Sequence, residues 1–148
     1  AAAYGGARIG GASKKQARKL EEMATYVGLG FQIWDDYLDA TASEQVLGKP
    51  SGSDIRQGKS TLLVIEALNR ATKDDRQRLL DILDSNDNSD SDVLEVVQIM
   101  EKCGALKACH SLAKEYLEGV RDTLAKYPDS EARQLFESLL KYMVTRGH

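Results

Sequence analysis

Residues 13–39 read SKKQARKLEEMATYVGLGFQIWDDYLD, and the spacing within them decides the fold class. Leu20, Met23 or Ala24, Val27, Phe31, Trp34 and Leu38 recur at intervals of three and four, which is the period of one helical face. Ser13 stands where an N-cap is needed, and Gln16 follows at the position that returns the bond. The stretch predicts one amphipathic helix of about seven turns. Gly28 and Gly30 lower its propensity by about 1 kcal/mol each against alanine. They permit close helix contact, permit a ligand's approach or mark a kink, and the letters alone favour none of these.

Outward from this helix the same period recurs. From Ala40 to Lys59 the pattern fails, and Gly48, Pro50, Gly52 and Gly58 punctuate a polar stretch. This predicts a long loop with one short turn around Glu44 to Leu47, of the kind that often carries function. Helices are predicted over Ser60–Ala71 and, behind a Thr72/Asp75 capping pair, to about Leu83. Asp84–Asp92 reads as a polar linker, after which Val93, Val96, Val97 and Met100 restore the stripe. Gly104 breaks or bends the helical run beyond Met100, and Pro128 closes a helix near Tyr127. Asp129 or Ser130 caps a last helix with Leu135, Phe136, Leu139, Leu140 and Met143 on one side. The best strand candidate, Leu62 to Ile65, leads straight into helix formers, so the expected class is all-α.

Composition bounds the function classes. With 148 residues, 42% apolar and 29% charged, one domain with a buried core is expected. A net charge of −3 argues against non-specific nucleic-acid binding, which needs a basic face. No apolar run reaches the length of a membrane span. The start, Ala1-Ala2-Ala3-Tyr4-Gly5-Gly6, carries no leader pattern. It lacks an opening methionine and an obvious cap, and resembles the middle of a helix-rich protein. The two cysteines, Cys103 and Cys109, make no disulfide framework, and with His110 adjoining Cys109 they make no zinc set either. A reducing cytoplasmic setting is expected.

The chemistry concentrates between Phe31 and Thr61. Gln32, Asp35 or Asp36, and Asp39 share one side of the helix by spacing. Like charges four residues apart cost about 0.2–0.5 kcal/mol, more where flanking Phe31, Trp34 and Leu38 draw the turn inward. A hard cation such as Mg2+ neutralises such a row, taking few protein ligands and completing its shell with water and phosphate oxygens. The following loop supplies Lys49, Arg56 and Lys59. Carboxylates beside ammonium groups suit a metal-bound diphosphate, because the metal bridges carboxylate to phosphate while the cations meet the remaining oxygens. An exposed acidic helix face is the plainer alternative.

The ordered set Phe31-Gln32, Asp35-Asp36-x-x-Asp39, Gly48-Lys49-Pro50, Asp54-Ile55 and Gly58-Lys59-x-Thr61 resembles the second aspartate-rich region of trans-isoprenyl diphosphate synthases (polyprenyl synthetases). The run Gly52 to Lys59 resembles archaeal short-chain members that make geranylgeranyl or farnesyl diphosphate. The resemblance implies a bundle of mostly antiparallel helices around a deep cavity, usually a homodimer, of which this chain is the C-terminal half of a single domain. It implies that an allylic diphosphate held by Mg2+ ionises and is attacked by isopentenyl diphosphate, giving a short-chain product. By position, Asp35 would bind Mg2+ directly, with Asp36 and Asp39 acting through bound water and neighbouring bonds. Lys49 and Lys59 would contact the allylic diphosphate, Gln32 would sit near the reacting carbons and Phe31 near the isoprenoid. Asp54 would organise the loop, Arg56 would have a minor role, and Tyr142 and Arg146 match a tail that lies over the isopentenyl diphosphate. The family's first aspartate-rich motif and a Lys-Thr pair are expected upstream of Ala1, so the chain alone is expected to be inactive. A natural small subunit that pairs with a separate half, a non-catalytic regulatory or binding subunit of a heteromeric synthase, a terpene cyclase or head-to-head condensing enzyme, and a plain helical interaction module are the rivals.

Two other motifs fail. Gly52 to Gly58 leaves five residues between the glycines rather than the four of a P-loop, and no strand precedes it. Asp84 to Glu95 places oxygen ligands as a calcium-binding EF-hand loop does, but Ser89 holds the position where glycine makes the turn. A solvated linker accounts for the same letters.

Overall fold

The computed structural model describes residues 1–42, 51–85 and 88–145. They are all-α, as expected, and no strand occurs among them. The helices are α1 (Ala2–Ile9), α2 (Lys14–Thr41), α3 (Ser53–Arg56), α4 (Leu62–Arg70), α5 (Lys73–Leu83), α6 (Asp90–Lys102), α7 (Ala105–Leu124) and α8 (Glu131–Thr145).

Local chemistry sets most boundaries. Ser13 and Gln16 close a full capping box on α2. Thr72 accepts the Asp75 N–H to start α5, as the sequence predicts. Thr61 does the same for α4 through the Val64 N–H, which places Leu62–Ile65 firmly in a helix. Gly104 does break the chain: it takes a left-handed φ of 78° between α6 and α7, a conformation that costs other residues a Cβ clash. Ser130, rather than Asp129, receives an early backbone N–H of α8, that of Arg133.

Two expectations need correction. The polar linker is shorter than Asp84–Asp92, because Ser89 and Asp92 form a second capping box that starts α6 at Asp90. Serine and aspartate three apart are a helix start as well as linker letters. Likewise the loop after α2 is not wholly irregular, since Ser53–Arg56 forms a helical turn with Ile55 buried in the core. The turn expected at Glu44 to Leu47 lies outside the described residues.

The frame is an antiparallel pair. α2 packs along α7, with Trp34 and Cys109 in one apolar cluster and Met23, Val27, Leu117 and Val120 in another. Numbers rise along one helix as they fall along the other. At the crossing, a Cβ on Gly30 would lie 3.0 Å from Leu117 Cγ and 3.2 Å from the Ala113 carbonyl oxygen. Gly30 therefore serves close helix contact, whereas Gly28 faces open space. Burying apolar surface at about 25 cal/mol per Å2 holds this pair together.

Around the pair, α4 and α8 pack on α7, α1 packs on α2, and α5 and α6 pack against each other. The last helix departs from its expected single stripe. Leu140 is buried and Phe136 and Met143 are half-buried against α2 and α7, while Leu135 stays 71% exposed and Leu139 and Tyr142 face outward. The apolar letters of α8 thus fall on two faces, and only one meets the bundle. Among the described residues no helix is long and apolar enough to cross a membrane.

Candidate active site

The long α2 helix carries its three aspartates in its last two turns. Its register against α7 turns Ile33, Trp34 and Leu38 into the core, and this rotation assigns each aspartate a different environment. Asp35 is exposed, Asp36 is half-buried, and Asp39 is only 4% exposed. Gln32, one turn before Asp36, donates from Nε2 to Asp36 Oδ1 at 2.8 Å. Phe31 is half-buried at the same level.

Asp39 reaches across to the returning chain. Its Oδ1 accepts the Ser53 hydroxyl at 2.7 Å, and its Oδ2 accepts the Asp54 backbone N–H at 3.0 Å. Its backbone carbonyl accepts the Gly52 N–H at 2.6 Å. The start of α3 is thereby tied to the end of α2. Asp54 in turn receives Lys59 Nζ on Oδ1 at 2.5 Å, and its carbonyl receives the Lys59 N–H at 2.9 Å. Asp54 thus holds Lys59 twice, by side chain and by backbone.

These ties bring Asp54 near Asp36. Burial pushes the Asp36 carboxyl above its ordinary value, and the charges of Asp54, Asp35 and Asp39 add to the rise, against the Gln32 hydrogen bond that lowers it. Burial and neighbouring carboxylates thus both favour the protonated form of Asp36. Positive charge added at this point would favour its carboxylate form instead.

Arg56 faces elsewhere. It donates to the Asn88 carbonyl at 3.0 Å and pairs with Asp90 at 2.5 Å, which straps α3 to the start of α6. Gly52 is pinned on the same side: its φ is 71° and a Cβ there would lie 2.3 Å from Val93 Cγ1 on α6. Gly58 also has a positive φ, 60°, with the Leu83 carbonyl oxygen 2.7 Å from where its Cβ would be. The EF-hand-like letters are engaged as well, since Asp92 and Glu95 pair with Arg78 of α5. Asn86 and Asp87 lie outside the described residues.

Of the residues singled out from sequence, Phe31, Gln32, Asp35, Asp36 and Asp39 share the end of α2, Asp54 is bonded to Asp39 and close enough to act on Asp36, and Lys59 is held on Asp54. Lys49 and Arg146 lie outside the described residues. Ser53 has no role in the sequence reading. Its signal is slight, a hydroxyl one residue before an aspartate in a polar loop, and only the fold shows that Asp39 is its partner. A packed trio of rings, Trp34, Tyr37 and His110, with centroids 5.1–5.7 Å apart, walls the inner side of the same turn.

Among the described residues no set of three His, Cys, Asp or Glu side chains converges as a metal cage. The donor chemistry nonetheless fits Mg2+ in its usual mode. That ion takes one or two carboxylates, keeps waters and draws its other oxygens from a phosphate ligand. An exposed Asp35 beside a charge-crowded Asp36 offers that much and no more.

An all-α frame with an aspartate-rich helix end tied to the returning chain at Ser53 and Asp54 defines the class, and comparison with known proteins agrees with it. The family model described as polyprenyl synthetase matches residues 1–100. The short chain isoprenyl diphosphate synthase of Methanothermobacter thermautotrophicus is 40% identical over 148 residues, covering all of this chain and 45% of that protein. The crystal structure of geranylgeranyl pyrophosphate synthetase from Pyrococcus horikoshii superposes with a TM-score of 0.82 at 38% identity, over 90% of this chain and 40% of that one. A geranylgeranyl pyrophosphate synthase from Corynebacterium glutamicum, solved with isoprenyl diphosphate and magnesium, superposes at 0.83 with 25% identity, over 95% of this chain and 40% of that one. The chain belongs to the polyprenyl synthetase family, and it spans less than half the length of the curated relatives that it matches over its whole extent. Its helices correspond to the C-terminal portion of that fold.

Proposed function

We propose that the protein is a Mg2+-dependent trans-prenyltransferase that condenses an allylic diphosphate with isopentenyl diphosphate, and that this chain is the C-terminal half of its single helical domain. The observation that carries the reading is the juxtaposition of Asp35 and Asp36, at the end of α2, with the Asp54–Lys59 pair of the returning loop. Crowded carboxylates beside an exposed ammonium group are what a metal-bound diphosphate requires.

In this reading Asp35 would hold Mg2+, and Asp36 would support it from the adjacent position on α2. When bound, the ion supplies positive charge to the leaving diphosphate as the carbon–oxygen bond ionises. Lys59 exchanges its Asp54 contact for phosphate oxygens, and Lys49 would meet the same diphosphate. Gln32 orients Asp36 and presents its amide near the reacting carbons, while Phe31 and the apolar wall behind it exclude water from the allylic cation. Identity to a short-chain synthase supports a short product, of fifteen to twenty carbons. A homodimer in the cytoplasm, the tail around Arg146 closing over isopentenyl diphosphate, and further metal ligands from an upstream segment complete the proposal.

The test is Asp35→Ala in the intact protein. Turnover is expected to fall by about two orders of magnitude or more, the scale of losing one fixed electrostatic contact to the transition state, with the unfolding midpoint little changed. Undiminished incorporation of labelled isopentenyl diphosphate would overturn the assignment. Residues 1–148 expressed alone are expected to be inactive, and robust condensation by them would show that no upstream segment is needed.

A further inference from the structure

We infer that Asp39 is a positioning residue: it acts on the diphosphate through Ser53 and the Asp54 backbone, by fixing the turn that carries Lys59, and not as a metal ligand. The inference rests on the functional reading above. Three features of the geometry carry it. Asp39 is 4% exposed, so a hydrated ion has little access to it. Both of its carboxylate oxygens already accept hydrogen bonds, from Ser53 Oγ at 2.7 Å and from the Asp54 N–H at 3.0 Å. Mg2+ gives up water reluctantly and prefers accessible carboxylates, so the same letter at Asp35, on the exposed side of the helix, answers that need while Asp39 does not.

The bonds lead somewhere specific. Asp39 grips residues 52–54 by side chain and by backbone, since its carbonyl also takes the Gly52 N–H at 2.6 Å. Ile55, the next residue, is anchored in the core at 3% exposure. From Asp54 two bonds run to Lys59, one to Nζ at 2.5 Å and one to its backbone N–H at 2.9 Å. The path from the buried carboxylate to the ammonium group is therefore short and hydrogen-bonded throughout. Charge-assisted bonds to a carboxylate are stronger than neutral ones, and burial away from water strengthens them further. Loss of the carboxylate frees the head of the turn, and Lys59 loses its placement.

The experiment is calorimetric titration of the intact protein with inorganic pyrophosphate at several Mg2+ concentrations. The variants are Asp39→Ala, Asp39→Asn, Ser53→Ala, the Asp39→Ala/Ser53→Ala double variant, and Asp35→Ala. At saturating Mg2+, Asp39→Ala is expected to weaken pyrophosphate binding by about tenfold, and Ser53→Ala by a few-fold, the scale of hydrogen bonds to a charged group. The double variant should bind no more weakly than Asp39→Ala alone, because both act along one path. The Mg2+ concentration for half-saturation should not move in any Asp39 or Ser53 variant, and amide exchange should quicken over residues 52–59. A raised Mg2+ requirement in Asp39→Ala or Asp39→Asn, or a Ser53→Ala variant that binds as the parent does, would overturn the inference. If Asp39→Ala does not fold, Asp39→Asn and Ser53→Ala give the same readouts. Asp35→Ala reports on the functional reading separately: an unchanged Mg2+ requirement there sinks the metal assignment and leaves the Asp39 result to be read on its own.

Discussion

Replacing Gly52 by alanine tests how tightly the loop is held to the bundle. The backbone there has φ 71°, in the left-handed region, which costs a residue with a Cβ about 1–2 kcal/mol. The new methyl would lie 2.3 Å from Val93 Cγ1. Val93 is buried on α6 and cannot simply swing into solvent, so α6 or the loop must give way by most of an ångström. Overpacking of this kind costs about 1–3 kcal/mol. Gly52→Ala should thus destabilise the protein by about 2–5 kcal/mol, read from urea unfolding by linear extrapolation. The two contributions separate in a Val93→Ala background, where the Cγ1 atom is gone. There the same change should cost only the conformational part, about 1–2 kcal/mol. Gly119→Ala, in the interior of α7 with open space at its Cβ position, is the control and should stabilise by about 1 kcal/mol. A Gly52→Ala cost under about 0.5 kcal/mol, the scale of an ordinary surface change, or a cost unaltered by Val93→Ala, would refute the reasoning.

Asp36 predicts a pH dependence. Its folded-state value is raised by burial first and by Asp54, Asp35 and Asp39 next, so the native state binds that proton more tightly than the unfolded chain does. Its contribution to stability therefore falls as pH rises from the ordinary aspartate value of about 4. Without Mg2+, Asp36→Asn should raise the unfolding midpoint at neutral pH and flatten its decline with pH; an unchanged profile would show that the crowding is absent in solution. The thiols should also divide. Burial pushes the Cys109 thiol up to about 11, so native protein at pH 8 should be alkylated at the half-buried Cys103 and at Cys109 only after unfolding, as peptide mass spectrometry reads.

Much of the fold was legible because its signals are local. The three-and-four spacing from Leu20 to Leu38, the Ser13–Gln16 box and the Thr72 cap act within one or two turns, and the helices they imply are present. Proteins whose local preferences agree with the whole are legible in this way. The acidic end of α2 with its basic loop was legible too, since residue type and order are enough to propose metal and diphosphate. What stayed hidden were the choices between equivalent letters. Gly28 and Gly30 read alike, yet only Gly30 lies against Ala113 and Leu117. Leu135 and Leu140 read alike, yet one is exposed and the other buried.

The aspartates show where that boundary falls. The sequence alone determined that Asp35, Asp36 and Asp39 stand on one stretch of helix, because a 3.6-residue repeat needs no knowledge of what the helix touches. The tertiary structure alone decided that Asp39 turns inward to Ser53 and Asp54 while Asp35 remains exposed. Helix rotation is set by which face buries apolar area against α7, a partner roughly seventy to a hundred residues distant in the chain, and no local period encodes that contact.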